Sequence, residues 1–517
     1  MLERDLVRKS AINHGHEIAY HDRDGHRTWA EMDERSDRLA RVLADLGVAK
    51  GMRTAILSSN RIEVAEHWFA CLKTGMVRVG INWRYSAADM LHVIRDSDAR
   101  VILVETENLE LLRPHVAELE AEGRRFVGFG GAHPFALDYE TLLAAAPRID
   151  GWPPLAADDV AMIGYTSGST GKPKGVILSH GGIYTMLVFN FIAMGYTRQA
   201  VRAYVTNAWG INSNTMCINI VNGMGTVLNN HDARNFHELV EKYQVTQVTL
   251  IPTMLRRLID VVKAGNADVS SLRQVAYGSM PATPALVREA WETLGCALVN
   301  AYGASESSGP VVILDNQDHE RAFSGEPHLL RSAGRAQPGV DIEIRDEEGN
   351  LLPTGQVGLV WMSGETLMKG YLNLPELTAD TLKDGRLKTG DFGHVDDEGY
   401  LYLGERKHNM IVTGGFNVYP NAVENALAEH PAVSEVAVVG VAHPEWGEAV
   451  VAAIAPRASV EIDTADLLDH CRRALARYEV PKHIEVLPAL PRGNTDKVDK
   501  IAVRRILVEK LDPVWNS

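Results

Sequence analysis

The strongest constraint on the fold is a regular alternation of amphipathic helical segments and short apolar runs between residues 28 and 125. Thr28 is placed to cap the first helix, which runs through residues 39–46. The elements predicted after it are a strand at 54–58, a helix at 62–74, a strand at 77–81, a helix at 87–97 and a strand at 101–104. Regular alternation of this kind predicts a layered α/β fold with parallel strand pairing.

The pattern changes along the chain and divides it into two predicted domains. Helix and strand segments alternate again between residues 237 and 294, and between 334 and 403 the helices disappear in favour of glycine-rich, alternating segments typical of a small β subdomain. A polar stretch with a glycine pair follows at 404–417. After it the predicted elements are a helix at 421–429, strands at 433–441 and 449–455, a helix at 464–476 and a strand at 483–487. We therefore predict a large N-terminal domain, residues 1–408, and a small α+β C-terminal domain, residues 409–517.

Charge and cysteine usage exclude several classes of protein. A net charge of −15 over 517 residues argues against nucleic acid as the main partner, because phosphate backbones are bound by basic surfaces. The first ten residues lack an apolar targeting region, and no apolar run is long enough to span a bilayer. The cysteines, which lack metal-ligand spacing, are Cys71, Cys217, Cys296 and Cys471. They are expected to be reduced core thiols in a cytoplasmic protein without integral membrane contact.

A loop rich in glycine and hydroxyl groups indicates phosphate binding. Residues 165–176 read Y-T-S-G-S-T-G-K-P-K-G-V. Backbone N–H groups in glycine-permitted conformations form a concavity for anions, and lysine adds charge-assisted hydrogen bonds. The spacing of Gly168 and Gly171, and Pro173 after Lys172, exclude a Walker loop. Apolar runs on both sides predict that the loop joins two strands of a hairpin and does not open a helix.

Further motifs follow this loop in a fixed order. They are G-S-M-P at 278–281, N-A-Y-G-A-S-E at 300–306, K-T-G-D at 388–391, G-G-F-N-V-Y-P at 414–420 and L-P-R-G-N-T-D-K-V-D-K at 490–500. Together with the loop they resemble the adenylate-forming superfamily, and within it the acyl-CoA synthetases. The resemblance covers nearly the whole chain. In that family a carboxylate attacks the α-phosphate of ATP, the mobile C-terminal domain rotates, and a thiol then displaces AMP.

The resemblance implies ATP and coenzyme A as ligands and assigns residues to them. Lys174 would hold the β- and γ-phosphates, Ser305 would contact the α-phosphate, and Asp391 with Arg406 would bind the ribose. The remaining residues that it implies for nucleotide or coenzyme A are Thr166, Ser167, Gly168, Ser169, Thr170, Gly171, Gly278, Ser279, Met280, Asn300, Tyr302, Gly303, Gly414, Gly415 and Phe416.

A cation and a catalytic lysine complete the implied site. Glu306 would hold Mg²⁺ with Thr166, since a hard cation takes oxygen ligands and offsets the charge that develops on the phosphates. Lys497 falls on the family's catalytic lysine, which orients the carboxylate and stabilises the pentavalent phosphorus. The catalytic candidates are therefore Lys497, Lys174 and Ser305.

The predicted acyl segment, Y-V-T-N-A-W-G-I-N-S-N at 204–214, indicates the kind of acid. Trp209 keeps the family's aromatic residue, but Gly210 replaces the histidine or the amine-binding aspartate of relatives. The segment therefore predicts a bulky or elongated acid that is not an α-amino acid. The residues expected near the acyl group are Asn207, Trp209, Gly210, Ile211, Asn212, Met216 and Ala304.

Two departures from the family pattern bear on the mechanism. Asp496 stands where a glycine usually precedes the catalytic lysine, and its carboxylate beside Lys497 would neutralise the lysine's field and repel phosphate. The hinge position is Asn409, a substitution that is more easily tolerated because a hinge only absorbs a backbone change.

Several functions stay open on the sequence alone. A carboxylic acid:CoA ligase is the leading prediction. The alternatives are a variant biased to the thioester half-reaction with a preformed acyl-adenylate, a stand-alone adenylation enzyme that loads a carrier protein, a luciferase-like oxygenase on fold grounds only, and a pseudo-ligase that binds nucleotide without turnover. A homodimer is possible, because symmetric dimers are the commonest soluble oligomers.

Overall fold

The structure is a computed structural model that describes most of the chain. The described residues are 2–166, 172–205, 212–229, 235–404, 411–413, 416–418, 420–444, 446–457, 460, 462–493 and 498–515, without the side chains of 212, 412, 416, 417 and 512–515. The α-helices in these ranges are α1 (Glu3–His14), α2 (Trp29–Asp45), α3 (Ile62–Thr74), α4 (Ala87–Asp96), α5 (Val116–Ala121), α6 (Tyr139–Ala145), α7 (His180–Ala193), α8 (Asn212–Met216), α9 (Phe236–Tyr243), α10 (Pro252–Lys263), α11 (Pro284–Leu294), α12 (Asn316–Ser324), α13 (Pro375–Thr381), α14 (Pro420–Ala428), α15 (Thr464–Ala474) and α16 (Lys500–Trp515).

The strands alternate with these helices through the first three hundred residues. They are β1 (Ile18–Asp22), β2 (Gly25–Thr28), β3 (Arg53–Leu57), β4 (Val77–Ile81), β5 (Val101–Glu105), β6 (Arg125–Phe129), β7 (Leu137–Asp138), β8 (Val160–Thr166), β9 (Lys174–Ser179), β10 (Val201–Tyr204), β11 (Gly225–Leu228), β12 (Gln247–Leu250), β13 (Gln274–Gly278), β14 (Ala297–Ala304), β15 (Gly309–Leu314), β16 (Arg335–Ala336), β17 (Val340–Arg345), β18 (Gly358–Gly364), β19 (Gly370–Tyr371), β20 (Leu382–Lys383), β21 (Arg386–Val395), β22 (Leu401–Leu403), β23 (Ile411–Thr413), β24 (Phe416–Val418), β25 (Val433–His443), β26 (Gly447–Pro456) and β27 (His483–Val486).

Local signals explain why several helices begin and end where the sequence predicts. Thr28 and Glu31 form a capping box, in which the Thr28 hydroxyl accepts from the Glu31 N–H and the Glu31 carboxylate accepts from the Thr28 N–H at 2.7 Å. Helix α11 has Thr283 as its cap and proline at its first position, and it ends at Gly295 with φ of 59°. Capping residues therefore fix the two predicted helix N-termini, at residues 29 and 284.

Two large sheets carry the N-terminal half of the molecule. The first, in the order β16-β15-β14-β13-β12-β10-β11-β1-β2, is parallel from β14 to β1. The second, in the order β19-β9-β8-β4-β3-β5-β6-β7, is parallel from β8 to β7. The largest apolar core joins side chains of both sheets and of α2, α3 and α7. The parallel α/β prediction is confirmed.

Two smaller sheets follow, and here the prediction needs corrections. Strands β17, β18, β20, β21 and β22 form an antiparallel sheet, as expected of a β subdomain. The expected absence of helices between 334 and 403 is wrong at α13, where proline occupies the first turn after Leu374. In the C-terminal part, strands β23 to β27 form one mixed sheet. No element was predicted after residue 487, but helix α16 follows, and its Val503 and Leu507 are fully buried against the sheet.

Candidate active site

The phosphate-loop motif lies between two antiparallel strands, as predicted. Strand β8 ends at Thr166, and β9 begins at Lys174, directly opposite it in the ladder. Both side chains are half-buried. Because β8 also pairs in parallel with β4, its end at Thr166 lies at the carboxyl edge of the second sheet, where ligands of α/β proteins bind. Residues 167–171 of the motif, Ser167, Gly168, Ser169, Thr170 and Gly171, lie outside the described residues.

Helix α4 anchors both ends of this loop. The hydroxyl of Tyr165 donates to Asp96 Oδ2 at 2.6 Å, and His92 Nε2 lies 3.0 Å from the carbonyl oxygen of Pro173. Burial raises the pKa of Tyr165, so the phenol stays protonated and remains a donor. The strand ends that carry Thr166 and Lys174 are therefore fixed by contacts outside the loop.

Glu306 lies beside Lys174 because a third strand reaches the hairpin. Strand β19 pairs antiparallel with β9 and places Tyr371 opposite Val176. The Tyr371 hydroxyl donates to Glu306 Oε1 at 2.6 Å, and its ring centroid lies 5.8 Å from Lys174 Nζ. The ammonium group of Lys174 and the carboxylate of Glu306, which lie far apart in the sequence, thus contact the same tyrosine side chain. Tyr371 was not predicted, because the short G-Y-L run at 370–372 has no signal of its own.

Tyr302 and Asp391 meet in the same way. Tyr302, on β14, donates its hydroxyl to Asp391 Oδ2 at 2.6 Å, and Asp391 lies on β21 of the third sheet. The Asp391 N–H donates to the Thr389 hydroxyl at 3.1 Å, and that hydroxyl donates to the Val360 carbonyl at 2.8 Å. The motifs at 300–306 and 388–391, far apart in sequence, are therefore in direct contact. Both carboxylates, Glu306 and Asp391, are half-buried.

Close packing of neighbouring strands explains why glycine occupies positions 278 and 303. A Cβ on Gly278 would lie 2.3 Å from the Ala301 carbonyl oxygen, and one on Gly303 would lie 2.1 Å from the Gly309 carbonyl oxygen. No side chain fits at such distances. Ser279 follows Gly278 with φ of 64° and is exposed. Close approach of the backbones of β13, β14 and β15 thus shapes the edge of the sheet at residues 278–280.

The other predicted nucleotide residues lie on or next to this edge. Asn300 directs its amide to the Ser332 carbonyl at 3.5 Å. Met280, Ala304 and Ser305 are half-buried, and Ser305 opens a short 3-10 turn after β14. The hydroxyl of Ser307, buried in that turn, donates to the Ala304 carbonyl and holds the turn closed. The turn brings Ser305 and Glu306 to the same end of β14.

The predicted acyl segment is described only in part. Asn207, Trp209, Gly210 and Ile211 lie outside the described residues, and of Asn212 only the backbone, at the start of α8, is described. Met216 at the end of α8 is fully buried in the core between the sheets.

A buried arginine fixes this helix and was missed in the sequence. Arg78, on β4, is fully buried and donates from Nη1 to the Ser213 hydroxyl at 3.1 Å. Burial lowers the pKa of Arg78 to about 10 and outweighs the opposing effects of Cys71, Cys217 and Tyr204. The charged residue inside the apolar run V-R-V-G-I at 77–81 is the signal that could have identified it.

All four cysteines are buried and free, as expected.

Most of the predicted C-terminal site lies beyond the described residues. This holds for Arg406, Asn409, Gly414, Gly415, Asp496 and Lys497. The backbone of Phe416 begins β24 and pairs with Thr413. An antiparallel bridge joins Arg492 and Val498, which lie on either side of the segment 494–497 in the sequence.

Comparison with known proteins places the chain. Residues 7–372 match the model of the AMP-binding enzyme family, and residues 422–497 match that of the AMP-binding enzyme C-terminal domain. The chain belongs to the AMP-binding enzyme family.

Relatives and solved structures agree along nearly the full length. A feruloyl-CoA synthase from Amycolatopsis sp is 35% identical over 484 residues, covering 92% of this chain and 93% of the relative. An indoleacetate–CoA ligase from Aromatoleum aromaticum is 32% identical over 495 residues, covering 93% and 94%. The structure of the amide bond synthetase McbA from Marinactinospora thermotolerans superposes with a TM-score of 0.85 at 28% identity, covering 98% of this chain and 99% of that chain.

These likenesses confirm several predictions made from the sequence. The protein is an adenylate-forming enzyme of the acyl-CoA synthetase branch, an AMP-forming acid:CoA ligase, with a large N-terminal and a smaller C-terminal domain. The domain boundary at residue 409 and the roles of single residues stay predictions. None of the described helices is long and apolar enough to cross a membrane.

The residues around Glu306 fit a cation that arrives with a nucleotide. Among the described residues no three His, Cys, Asp or Glu side chains form a metal site of their own. Glu306 offers one half-buried carboxylate close to the phosphate-loop hairpin. Mg²⁺ in such enzymes is held by one or two carboxylates, substrate phosphates and water, so a single protein carboxylate is sufficient.

Proposed function

We propose that this AMP-binding enzyme activates a bulky or elongated carboxylic acid as an acyl-adenylate and transfers the acyl group to coenzyme A. A carboxylate oxygen attacks the α-phosphorus of ATP and pyrophosphate leaves; the coenzyme A thiolate then attacks the acyl carbon and AMP leaves. The observation that carries the proposal is the convergence of three predicted motifs: Tyr371 joins Lys174 to Glu306, and Tyr302 contacts Asp391.

Lys174 and the loop before it hold the departing pyrophosphate. The lysine lies at the start of β9, directly opposite Thr166, where the loop that would bind the β- and γ-phosphates begins. Ser305 contacts the α-phosphate, and Glu306 with Thr166 holds the Mg²⁺ that offsets phosphate charge. Lys497 approaches the carboxylate and the α-phosphate from the C-terminal domain and stabilises the pentavalent phosphorus.

The nucleoside and the thiol have separate binding residues. Asp391 with Arg406 accepts the ribose, and the edge formed by Gly278, Ser279 and Met280 packs on adenine. Asn300 and Tyr302 complete the adenine site, with Gly303 allowing close approach of the backbone. Gly414, Gly415 and Phe416 line the path of the pantetheine arm after rotation of the C-terminal domain.

The nature of the acid is inferred from the acyl segment. Gly210 supplies no carboxylate for an α-amino group and leaves space beside Trp209. Relatives whose names specify feruloyl and indoleacetate groups handle aromatic acids of this size. These observations support an aryl or elongated aliphatic acid as the substrate class.

The experiment is a panel of aliphatic, aryl and polycyclic acids incubated with ATP and Mg²⁺. Pyrophosphate release reports adenylation, and mass spectrometry detects the thioester with coenzyme A or with a phosphopantetheinylated carrier protein. We expect ATP-dependent coenzyme A thioester with bulky acids and at least 10-fold lower kcat/KM with α-amino acids, because an unpaired amine costs more than about 1.4 kcal/mol in an apolar pocket. Thioester on the carrier protein alone would contradict coenzyme A as acceptor, and nucleotide binding without pyrophosphate release would support a pseudo-ligase.

A further inference from the structure

Tyr371 contacts one cationic and one anionic side chain. In the proposed function the cationic one, Lys174, binds phosphate and the anionic one, Glu306, binds Mg²⁺. Its hydroxyl donates to Glu306 Oε1 at 2.6 Å, and its ring centroid lies 5.8 Å from Lys174 Nζ. The first contact is a charge-assisted hydrogen bond, and the second is within the range of a cation–π interaction. One aromatic side chain therefore contacts both the lysine proposed to bind phosphate and the carboxylate proposed to bind the cation.

The position of Tyr371 is set by its backbone and not by these two contacts. The N–H groups of Lys369 and Leu372 donate to the carbonyls of Ile177 and Gly175 at 2.8 Å each, which ties the segment to strand β9. The Met368 N–H donates to the backbone carbonyl of Glu306, also at 2.8 Å. Since these bonds involve main-chain atoms only, side-chain variants at 371 keep the segment in place.

Lys174 and Glu306 both contact the side chain of Tyr371, one at the ring and the other at the hydroxyl. Within the described part of the chain, no carboxylate forms an ion pair with Lys174. A direct Lys174–Glu306 pair would neutralise the ammonium needed by phosphate and the carboxylate needed by Mg²⁺. A neutral phenol satisfies one oxygen of Glu306 and offers its ring face to Lys174, so both residues keep their charge for ligands.

We propose that Tyr371 is a positioning residue that separates Lys174 from Glu306 and orients the Glu306 carboxylate for the cation that accompanies ATP. The inference rests on the proposed role of Glu306 as a cation ligand. Groups that hydrogen-bond to a metal ligand fix its orientation, and their loss typically weakens metal affinity by about 10–100-fold. The two contacts of Tyr371 can be removed separately, because phenylalanine keeps the ring and loses only the hydroxyl.

The test compares Tyr371→Phe and Tyr371→Leu by calorimetry with the α,β-methylene analogue of ATP and no acid. In Tyr371→Phe we expect the Mg²⁺ concentration for half-maximal nucleotide binding to rise by about 10-fold. Nucleotide affinity at saturating Mg²⁺ stays near wild type, because the ring still separates the two charges. In Tyr371→Leu we expect nucleotide affinity to fall as well, with partial recovery on adding salt, which screens the new ion pair.

Tyr139→Phe is the matched control. Tyr139 donates its hydroxyl to Glu66 Oε2 at the same 2.6 Å, in a cluster of α2, α3 and α6. Its loss is expected to lower the thermal midpoint and to leave the Mg²⁺ dependence unchanged. This control separates the loss of any Tyr–Glu bond from the loss of the bond at Glu306.

The outcomes distinguish this inference from the proposed function. If Tyr371→Phe titrates with Mg²⁺ as wild type does while Glu306→Gln is shifted, the positioning role is wrong and the role of Glu306 stands. If Glu306→Gln also titrates as wild type does, the cation role of Glu306 fails and the inference fails with it. Should Tyr371→Leu not fold, Tyr371→Phe carries the test alone, since its ring fills the same space.

Discussion

At the scale of residues, two tyrosine hydroxyls hold the carboxylates on which the proposed nucleotide site depends. Tyr371 donates to Glu306 and Tyr302 donates to Asp391, each at 2.6 Å. A neutral donor orders a carboxylate without cancelling its charge, so both acids are oriented before ligands bind. Neither contact has a local signal in the sequence, because the partners of each bond are 65 and 89 positions apart.

Asp496 is the residue whose replacement tests the adenylation step most directly. Asp496 directly precedes Lys497 in the sequence, so we expect its carboxylate to offset the ammonium charge and to repel the α-phosphate. We expect Asp496→Gly to accelerate pyrophosphate release with the free acid by about 10-fold, equivalent to about 1.4 kcal/mol of barrier. Thioester formation from synthetic acyl-adenylate should stay unchanged. Equal and robust pyrophosphate release in wild type and variant would show that Asp496 does not impair adenylation.

At the scale of elements, the sequence predicted best where the signals are local. The capping box at Thr28 and the proline at the start of α11 fix helices that the periodicity also indicates. Among the helices that were not predicted, α13 begins at a proline after turn residues and α16 begins in a segment that carries several basic residues. Burial of Val503 on the C-terminal sheet decides α16, and that contact is a property of the folded chain.

A buried lysine joins two helices and gives a prediction about stability. Lys73 of α3 is fully buried and donates to the Asp33 and Asp37 carboxylates of α2 at 2.8 and 2.9 Å. Lys73→Met leaves both acids buried, so we expect a loss of about 3 kcal/mol in the free energy of unfolding. This is the low end for a buried pair, since Arg148 still contacts both acids. Urea denaturation at pH 7 measures the loss.

The pH dependence of this loss follows from Asp33. Burial opposes its ionisation, but Lys73 and then Arg148 and Arg8 outweigh burial and hold the pKa of Asp33 below its ordinary value. The stabilisation that ionised Asp33 contributes is present above about pH 4, near its pKa in the unfolded chain. It is lost as the pH falls through the lower pKa that Asp33 has in the folded protein. Wild type and Lys73→Met should therefore converge in stability towards pH 3. As a control, Lys50→Met removes a pair with Asp159 whose lysine is 41% exposed, and it should cost less than about 1 kcal/mol. A similar loss in both variants would contradict the argument.

At the scale of the whole molecule, an ion pair between described residues joins the C-terminal part of the chain to helix α11. Arg457, which follows β26, lies 3.7 Å from Glu289, and Glu289 is itself held by Lys263 at 2.6 Å. The family resemblance implies that the C-terminal domain rotates between the two half-reactions, so we expect this pair to break in the other arrangement. We therefore expect the pair to bias the balance between the two arrangements.

Arg457→Gln should change that balance without touching a binding site. Pairs of this exposure contribute about 0.2–1 kcal/mol, so we expect the ratio of the two half-reaction rates to change by about 2–5-fold. The half-reaction that uses the present arrangement slows relative to the other, and the KM for ATP stays constant. Pyrophosphate release and thioester formation from synthetic adenylate are measured separately, at low and high salt, because screening should abolish the difference. Arg472→Gln, which removes an exposed pair with Asp469 inside α15, is the control. An unchanged ratio in Arg457→Gln would mean that the contact does not bias domain rotation.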